Sequence, residues 1–528
     1  MSHRCDVLVV GGGGAALRAA LAAHEAAPAL DILLVTKGDL GASGVTATAC
    51  SDRMAFHATL PTTAPGGPDA WRHHADDIYR IGGQVSDLDL ATILAREAAT
   101  AFDYLDRLGV PWARRPDGVV DQFHTDGSTY ARACYTGPYT ANHIEAALVA
   151  RLRQTPIRVL ERHLVAELLR DGEGVVCGAL LISQESDALM AVGAGAVVLA
   201  TGGAGQAFAV SVFPPDCTGD GYAMAYRAGA VLRDLEFMQF HPTTLYIAGA
   251  SRALITETLR GEGAILRDRD GNAFMKDYHP EAELAPRDVV SRAILDRMLR
   301  TGSTHVYLDI RHFDKAHFQK RFPLISELCS SFDINVSKDM IPVRPSAHYM
   351  IGGVKVDQAA ATSIPNLYAC GEAASTGLHG ANRLGSNSLL EGLVYGKLAG
   401  HAAAGDLRRR DPHLHHRSFV FEVPHSDRSR LDTEDVRNSL CALMWRNVGI
   451  TREQTHLVEA QEIICFWQRY VMDKIFETPF GWECQNMLTV ALLMARAAEA
   501  RAESRGVHFR KDYPKTDNDH FQKHIDLS

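Results

Sequence analysis

Apolar residues in this chain come in short runs that end in glycine, the pattern of strands buried on both faces of a parallel sheet. Residues 5–10 (CDVLVV) form the first run, and Gly11-Gly12-Gly13-Gly14-Ala15-Ala16 closes it. Residues 17–26 are rich in alanine and leucine and predict a helix. Residues 31–36 (DILLVT) supply a second strand, so the three together predict a βαβ unit. Two later runs have the same form. Val197-Val198-Leu199 leads into Ala200-Thr201-Gly202-Gly203, and Leu367-Tyr368-Ala369-Cys370 leads into Gly371-Glu372. From residue 434 to about 505 the period changes: Met487-Leu488, Val490, Leu492-Leu493 and the alanines after them recur at helical spacing. No apolar run reaches the ~18 residues that a membrane helix needs.

The first turn carries G-x-G-x-x-A between a strand and a helix, where glycines let a pyrophosphate rest on the helix N-terminus. At the N-terminal βαβ position this points to a dinucleotide. The acid that would meet a ribose at the end of the second strand is absent, and Thr36-Lys37 stands there; Asp31, at the strand's other end, is expected to be structural. A polar turn at Thr218-Gly219-Asp220-Gly221 and the late Gly371-Glu372 suit a flavin, whose ribitol and ring system need holding as well as its pyrophosphate. FAD is therefore the expected cofactor.

Arg287 and Arg383 point to the substrate. Arg383 lies among Gly380, Gly385 and small hydroxyl residues, which let backbone approach a ligand, and a guanidinium can grip a carboxylate with two parallel hydrogen bonds. A small anion is the expected substrate. The 528 residues predict two to four domains, and a formal net charge of −9 argues against nucleic acid and anionic membranes as partners. The start of the chain has no basic segment followed by an apolar one, so a cytoplasmic location is expected. The ten cysteines show no C-x-x-C and no iron–sulfur spacing, so they are expected to be buried free thiols, and no metal site is expected. His73-His74 and the tract His413-Leu414-His415-His416 are expected to be solvated.

In order along the chain come residues 236–243 (EFMQFHPT), 254–263 (LITETLRGEG), Arg287, residues 347–353 (AHYMIGG) and residues 379–388 (HGANRLGSNS). This succession resembles the fumarate reductase/succinate dehydrogenase/L-aspartate oxidase flavoprotein family over nearly the whole length. Residues 321–323 (RFP), 445–450 (WRNVGI), 376–383 (TGLHGANR) and 503–514 (ESRGVHFRKDYP) resemble the L-aspartate oxidase branch most. The resemblance implies an α/β fold: a two-dinucleotide-fold (Rossmann-like) FAD-binding domain at 1–235 and 354–405, interrupted by an α+β capping domain at 236–353. A connector at 406–433 and a C-terminal helical domain at 434–528 follow.

The resemblance also implies roles. Arg383 and His348 would hold one carboxylate of the substrate, and His241 and Thr256 the other. Arg287 would transfer a proton in a relay with Glu257 and Arg260, and hydride would pass between the substrate carbon and flavin N5. Gly11, Gly13, Gly14, Ala16, Lys37, Ser43, Thr46, Ala200, Thr201, Gly202, Asp220, Glu372, Ser388 and Leu389 would hold FAD. Respiratory members attach FAD covalently through a histidine; Gly44 stands at that place, so the flavin is expected to be non-covalent. Ala49-Cys50-Ser51-Asp52 replaces the family's Ala-Gln-Gly-Gly and is expected close to the flavin. Asp126 is the candidate partner for a substrate ammonium. The expected reaction is oxidation of L-aspartate to iminoaspartate, for quinolinate and NAD biosynthesis, with oxygen or fumarate as acceptor. A soluble fumarate reductase or succinate dehydrogenase-type enzyme, or one acting on a modified aspartate or another C4 dicarboxylate, stays open, as do monomer and homo-oligomer.

Overall fold

The computed structural model describes residues 3–67, 69–125, 127–247, 253–408, 428–429 and 431–528. Most of the connector expected at 406–433 lies outside them, and so do Asp126, His413, His415 and His416. Strands β1 (His3–Val10) and β2 (Ile32–Val35) pair in parallel, and helix α1 (Gly14–Ala26) joins them. Every residue of β2 is buried, which explains its unbroken apolar run. β3 (Arg158–Leu160) extends the sheet beyond β2; Arg158 there pairs with Asp31 at 2.6 Å, the structural role expected of that acid.

On the other side of β1 lie, in spatial order, β6 (Leu189–Leu199), β5 (Val176–Ser183) and β4 (His163–Arg170). On its side away from β1, β6 pairs with two different strands along its length. Its first half is antiparallel to β5, and Val197 to Leu199 run parallel to β7 (Leu367–Ala369). The registers Val10↔Leu199 and Ala369↔Leu199 set Gly11, Ala200 and Cys370 side by side at the carboxyl ends of three parallel strands. Ligands of open α/β sheets bind at such an edge.

Helix Asn387–Arg408 packs tightly on α1, and glycine makes that possible. A Cβ on Gly396 would stand 2.7 Å from the Ala15 carbonyl oxygen, and one on Gly400 only 2.1 Å from that of Ala19. The alanines of α1 meet those glycines, so an added methyl would push the two helices apart.

Between β6 and β7 the chain builds a second sheet of four antiparallel neighbours: Met238–Leu245, Ile341–Met350, Val306–Asp309 and Ile265–Arg267. Helix Arg287–Thr301 lies across it, and Leu245, Leu259, Phe274, Ile294, Phe318 and Phe322 help fill a separate apolar core. The helices Thr433–Asn447, Gln454–Val471 and Pro479–Ala500 then pack on the first sheet, the last buried along most of its length. The C-terminal strand Asp526–Leu527 pairs with Leu232–Arg233, which also pairs with Gly353–Lys355. That small sheet sets the segment that precedes the second sheet beside the segment that follows it. Fully buried Arg501 sits beside it and bonds Glu236 at 2.6 Å and Glu503 at 3.1 Å.

Candidate active site

A cavity of about 520 Å³ opens at the carboxyl edge of the sheet and runs under the second domain. Its sheet end is lined by the first glycine turn, Lys37, Ser43, Thr46, Ala200, Thr201, Gly202, Asp220, Glu372, Ser388 and Leu389. Of the residues expected at the cofactor, only Ala16 is elsewhere: it is buried in the core of α1, and Ala15 takes the place on the cavity wall. Gly11 has φ +129, and a Cβ there would stand 2.1 Å from the Ala200 carbonyl oxygen. Only glycine brings these two turns so close. The Gly14 N–H donates to Thr46 Oγ1 at 3.2 Å, which fixes the following loop against the turn.

Lys37 is enclosed by acceptors. Its Nζ donates to Thr218 Oγ1 and Asp220 Oδ2 at 2.7 Å and to Glu483 Oε1 at 2.8 Å. Burial alone would lower its pKa, but the two carboxylates more than offset that and hold it above the ordinary lysine value. Glu483 belongs to the C-terminal helices, so two parts of the chain, far apart in sequence, converge on this lysine. Glu372 accepts the Met350 N–H at 2.8 Å, and burial pushes its carboxyl up to about 8. The Thr201 hydroxyl is sealed from water and has no hydrogen-bond partner although it lines the cavity. An unpaired buried hydroxyl at a glycine cradle fits a polar dinucleotide such as FAD.

The other end of the cavity is built by two neighbouring strands and two loops. Strand Met238–Leu245 presents His241, strand Ile341–Met350 presents His348, and Arg383 and Thr256 arrive on loops. The two imidazoles meet edge to face at 5.4 Å. Burial first, and the surrounding arginines second, hold both well below the ordinary histidine pKa, so both are neutral near pH 7. Arg383 is lowered only to about 10 by burial and by Arg287, and keeps its charge. Its Nη2 donates to Gln239 Oε1 at 3.0 Å, and its guanidinium lies 4.3 Å over the Tyr349 ring. Tyr349 is fixed in turn by Glu391, at 2.9 Å, which also meets Thr376 and His379. Arg383 Nε and His348 Nδ1 are buried without partners, beside each other on the cavity wall.

Arg287 opens its helix immediately after Pro286 and grips Glu257 with two N–H donors. Burial would raise the Glu257 carboxyl, but the Arg287 charge overcomes this and holds it below the usual value. Arg260 stands behind this pair rather than on the cavity wall: its Nη1 donates to the Glu283 carbonyl at 2.6 Å. Gln239 is a further contributor that the sequence reading did not single out. Its Oε1 lies 3.0 Å from Arg383 and 3.4 Å from Arg287, so one neutral acceptor bridges the two guanidiniums.

The altered stretch at 49–52 lies partly on the cavity. Ala49 and Ser51 line it, as does Arg53 just after the stretch, but Asp52 turns away and accepts the N–H groups of Leu324 and Ile325 at 2.9 and 3.1 Å. His74 corrects the expectation that it is solvated. It is fully buried, 2.9 Å from Asn387 Oδ1, and His57 reaches the same oxygen at 3.1 Å. His57 also meets Thr125, on the cavity wall, at 2.9 Å. His74 lies on the inward face of helix Trp71–Ile81, so its helical phase decided its fate, not its polarity.

A dinucleotide cradle joined to an arginine and histidine clamp under a second domain defines the class, a flavoprotein oxidoreductase. Comparison with known proteins narrows it. Residues 6–389 match the family model described as FAD binding domain, and residues 437–527 that described as fumarate reductase flavoprotein C-term. The L-aspartate oxidase of Streptomyces coelicolor is 38% identical over 98% of this chain and 90% of its own length. A fumarate reductase (CoM/CoB) chain from Methanothermobacter marburgensis is 34% identical over 97% of this chain and 95% of its own length. Among solved structures, the Mycobacterium smegmatis Sdh1 chain superposes with a TM-score of 0.86 at 33% identity, over 98% of this chain and 90% of that one. The chain belongs to the FAD-binding flavoprotein family of the fumarate reductase type, and its cofactor is FAD. No described helix is long and apolar enough to cross a membrane.

Proposed function

We propose that this protein oxidises L-aspartate to iminoaspartate, with oxygen or fumarate as the final acceptor, in the service of NAD biosynthesis. The observation that carries the reading is the clamp: Arg383 Nε and His348 Nδ1, sealed from water and unpartnered, sit on the wall of a cavity also lined by His241, Thr256 and the Arg287–Glu257 pair. FAD, when bound, supplies the two-electron acceptor chemistry.

The protein residues have three tasks. Arg383 and His348 bind one carboxylate, and His241 and Thr256 the other, which orients the C2–C3 bond. Arg287 exchanges the substrate proton at its guanidinium, with Glu257 holding that group in place and passing charge towards Arg260. The second domain covers the site and excludes water. The full-length likeness to L-aspartate oxidases supports this choice of substrate.

A fumarate reductase-type activity is the second reading, favoured by the Methanothermobacter marburgensis relative and by the structural likeness to an E. coli quinol fumarate reductase FrdA chain (TM-score 0.87, 32% identity, 100% of this chain and 94% of that one). Incubating the FAD-loaded protein with L-aspartate in air tests the first reading. Peroxide should form in step with an imino acid that sodium borohydride reduces back to aspartate. Absence of both products with L-aspartate, together with turnover of fumarate by chemically reduced protein, would replace it with the second.

A further inference from the structure

The charged side chains along the cavity form a nearly complete set of pairs. Lys37 has Asp220 and Glu483, Arg287 has Glu257, and Arg321 has Glu262 at 2.7 Å. Among the described residues, two cavity guanidiniums lack a carboxylate. One is Arg383, already placed in the clamp. The other is Arg53, which the family resemblance did not mark.

Arg53 has no hydrogen bond or ion pair through its side chain among the described residues, and its Nε is sealed from water without a partner. Its guanidinium is not loose, because it lies 4.6 Å over the Phe123 ring. The neighbouring carboxylate, Asp52, forms no ion pair with it: both Asp52 oxygens accept backbone N–H groups of helix Pro323–Ser331, and its charge acts on Arg53 only as a minor, longer-range attraction. Across the cavity it faces Glu262, already paired, and the like charge of Arg321; Tyr135 is also near. Burial and Arg321 together lower its pKa, so its charge is held at a cost while no anion is present.

Its position is also informative. Thr256 to Glu262 form one short stretch of the second domain, and Arg53 stands against the Glu262 end of it, whereas Arg383 lies against Gln239 and Tyr349. The two unpaired cations therefore serve different parts of the cavity. At the Thr256 end, His241 is neutral, so the carboxylate assigned there meets hydrogen-bond donors but no unpaired charge. Arg53, towards the Glu262 end of the same stretch, is the cavity cation besides Arg383 that has no carboxylate partner among the described residues.

We propose that Arg53 is a substrate-binding residue that supplies the second positive charge for a dicarboxylate dianion, completing with Arg383 a clamp of one guanidinium per carboxylate. This rests on the dicarboxylate reading above. It adds a preference: ligands carrying two negative charges gain from Arg53, and those carrying one do not.

The test uses FAD-loaded wild type, Arg53→Met and Arg53→Lys, titrated with malonate and with propionate while the visible flavin spectrum is followed. Arg53→Met should weaken malonate ten- to a hundredfold, about 1.4–2.7 kcal/mol. Arg53→Lys should recover part of that loss, propionate should change less than threefold, and FAD retention on gel filtration should be unaltered. Equal malonate affinity in wild type and Arg53→Met, or an equal loss for propionate, would overturn the assignment. Loss of FAD on gel filtration, with unchanged malonate affinity in the fraction that retains it, would instead make Arg53 a cofactor contact and overturn it too. If wild type binds neither malonate, fumarate nor L-aspartate, the dicarboxylate reading itself fails and takes this one with it; tight malonate binding that ignores Arg53 sinks only the latter.

Discussion

Replacing Asp52 by alanine removes a carboxylate that joins the flavin domain to the domain above it. Its two oxygens accept the N–H groups of Leu324 and Ile325, the second and third residues of a nine-residue helix that begins with Pro323. Those donors have no partner within their own helix, and a negative charge there also meets the positive end of the helix dipole. Loss of such a cap costs about 0.5–2 kcal/mol. Because the cap spans two domains, the loss falls on closure of the cavity as well as on the helix. A cost of about 1 kcal/mol would shift the closed-to-open ratio roughly fivefold. Hydrogen exchange followed by mass spectrometry over residues 323–331 reads this directly. Asp52→Ala should speed exchange there roughly fivefold, and Asp52→Asn, which keeps an acceptor oxygen, should lie between the two. Malonate should also associate faster with Asp52→Ala. Exchange over 323–331 that matches the wild type in both variants would refute the idea that Asp52 holds the two domains together.

Three further outcomes are expected. Glu257→Gln leaves Arg287 without its anion, so reduction of the flavin by substrate should slow on the order of 10²–10⁴-fold, while malonate affinity measured by flavin titration changes far less. Glu145 is fully buried, neither of its oxygens has a partner, and burial pushes its carboxyl up to about 8. A carboxyl raised in the folded state contributes stability that is complete below the ordinary value of 4.5 and is lost as pH rises through about 8. Glu145→Gln should therefore raise the melting temperature at about pH 8.5 and leave it unchanged near pH 4; an equal gain at both would contradict the assignment. Finally, Gly44 cannot form a bond to the flavin, so acid precipitation should leave all the yellow colour in the supernatant, and colour in the washed pellet would contradict non-covalent binding.

Residues that act through their own backbone or within one motif were legible in the chain. The Gly11 turn follows from a strand, a glycine cluster and a helix in succession, and the motifs around His241, His348 and Arg383 single out three residues that meet in one cavity. One-residue phase was not legible. Ala15 and Ala16 are chemically alike, and only the pitch of α1 decides which faces the cavity. His74 looked solvated beside His73 because the pair is polar, yet it lies on the buried side of its helix; His73 instead packs on Tyr130. Long-range pairing was equally hidden. Lys37 meets Glu483 across 446 positions, and Asp52 meets Leu324 across 272, with no local pattern to announce either contact. Arg53 was overlooked for a related reason: what marks it is a missing partner, which only a folded cavity can reveal.

The most direct test of the central claim is anaerobic mixing of the FAD-loaded protein with L-aspartate while the visible flavin absorbance is followed. The account predicts rapid bleaching by L-aspartate, then recovery of the colour on adding either fumarate or air. A flavin that keeps its colour with L-aspartate, in protein shown to bind malonate, would contradict aspartate oxidation while leaving the dicarboxylate clamp in place.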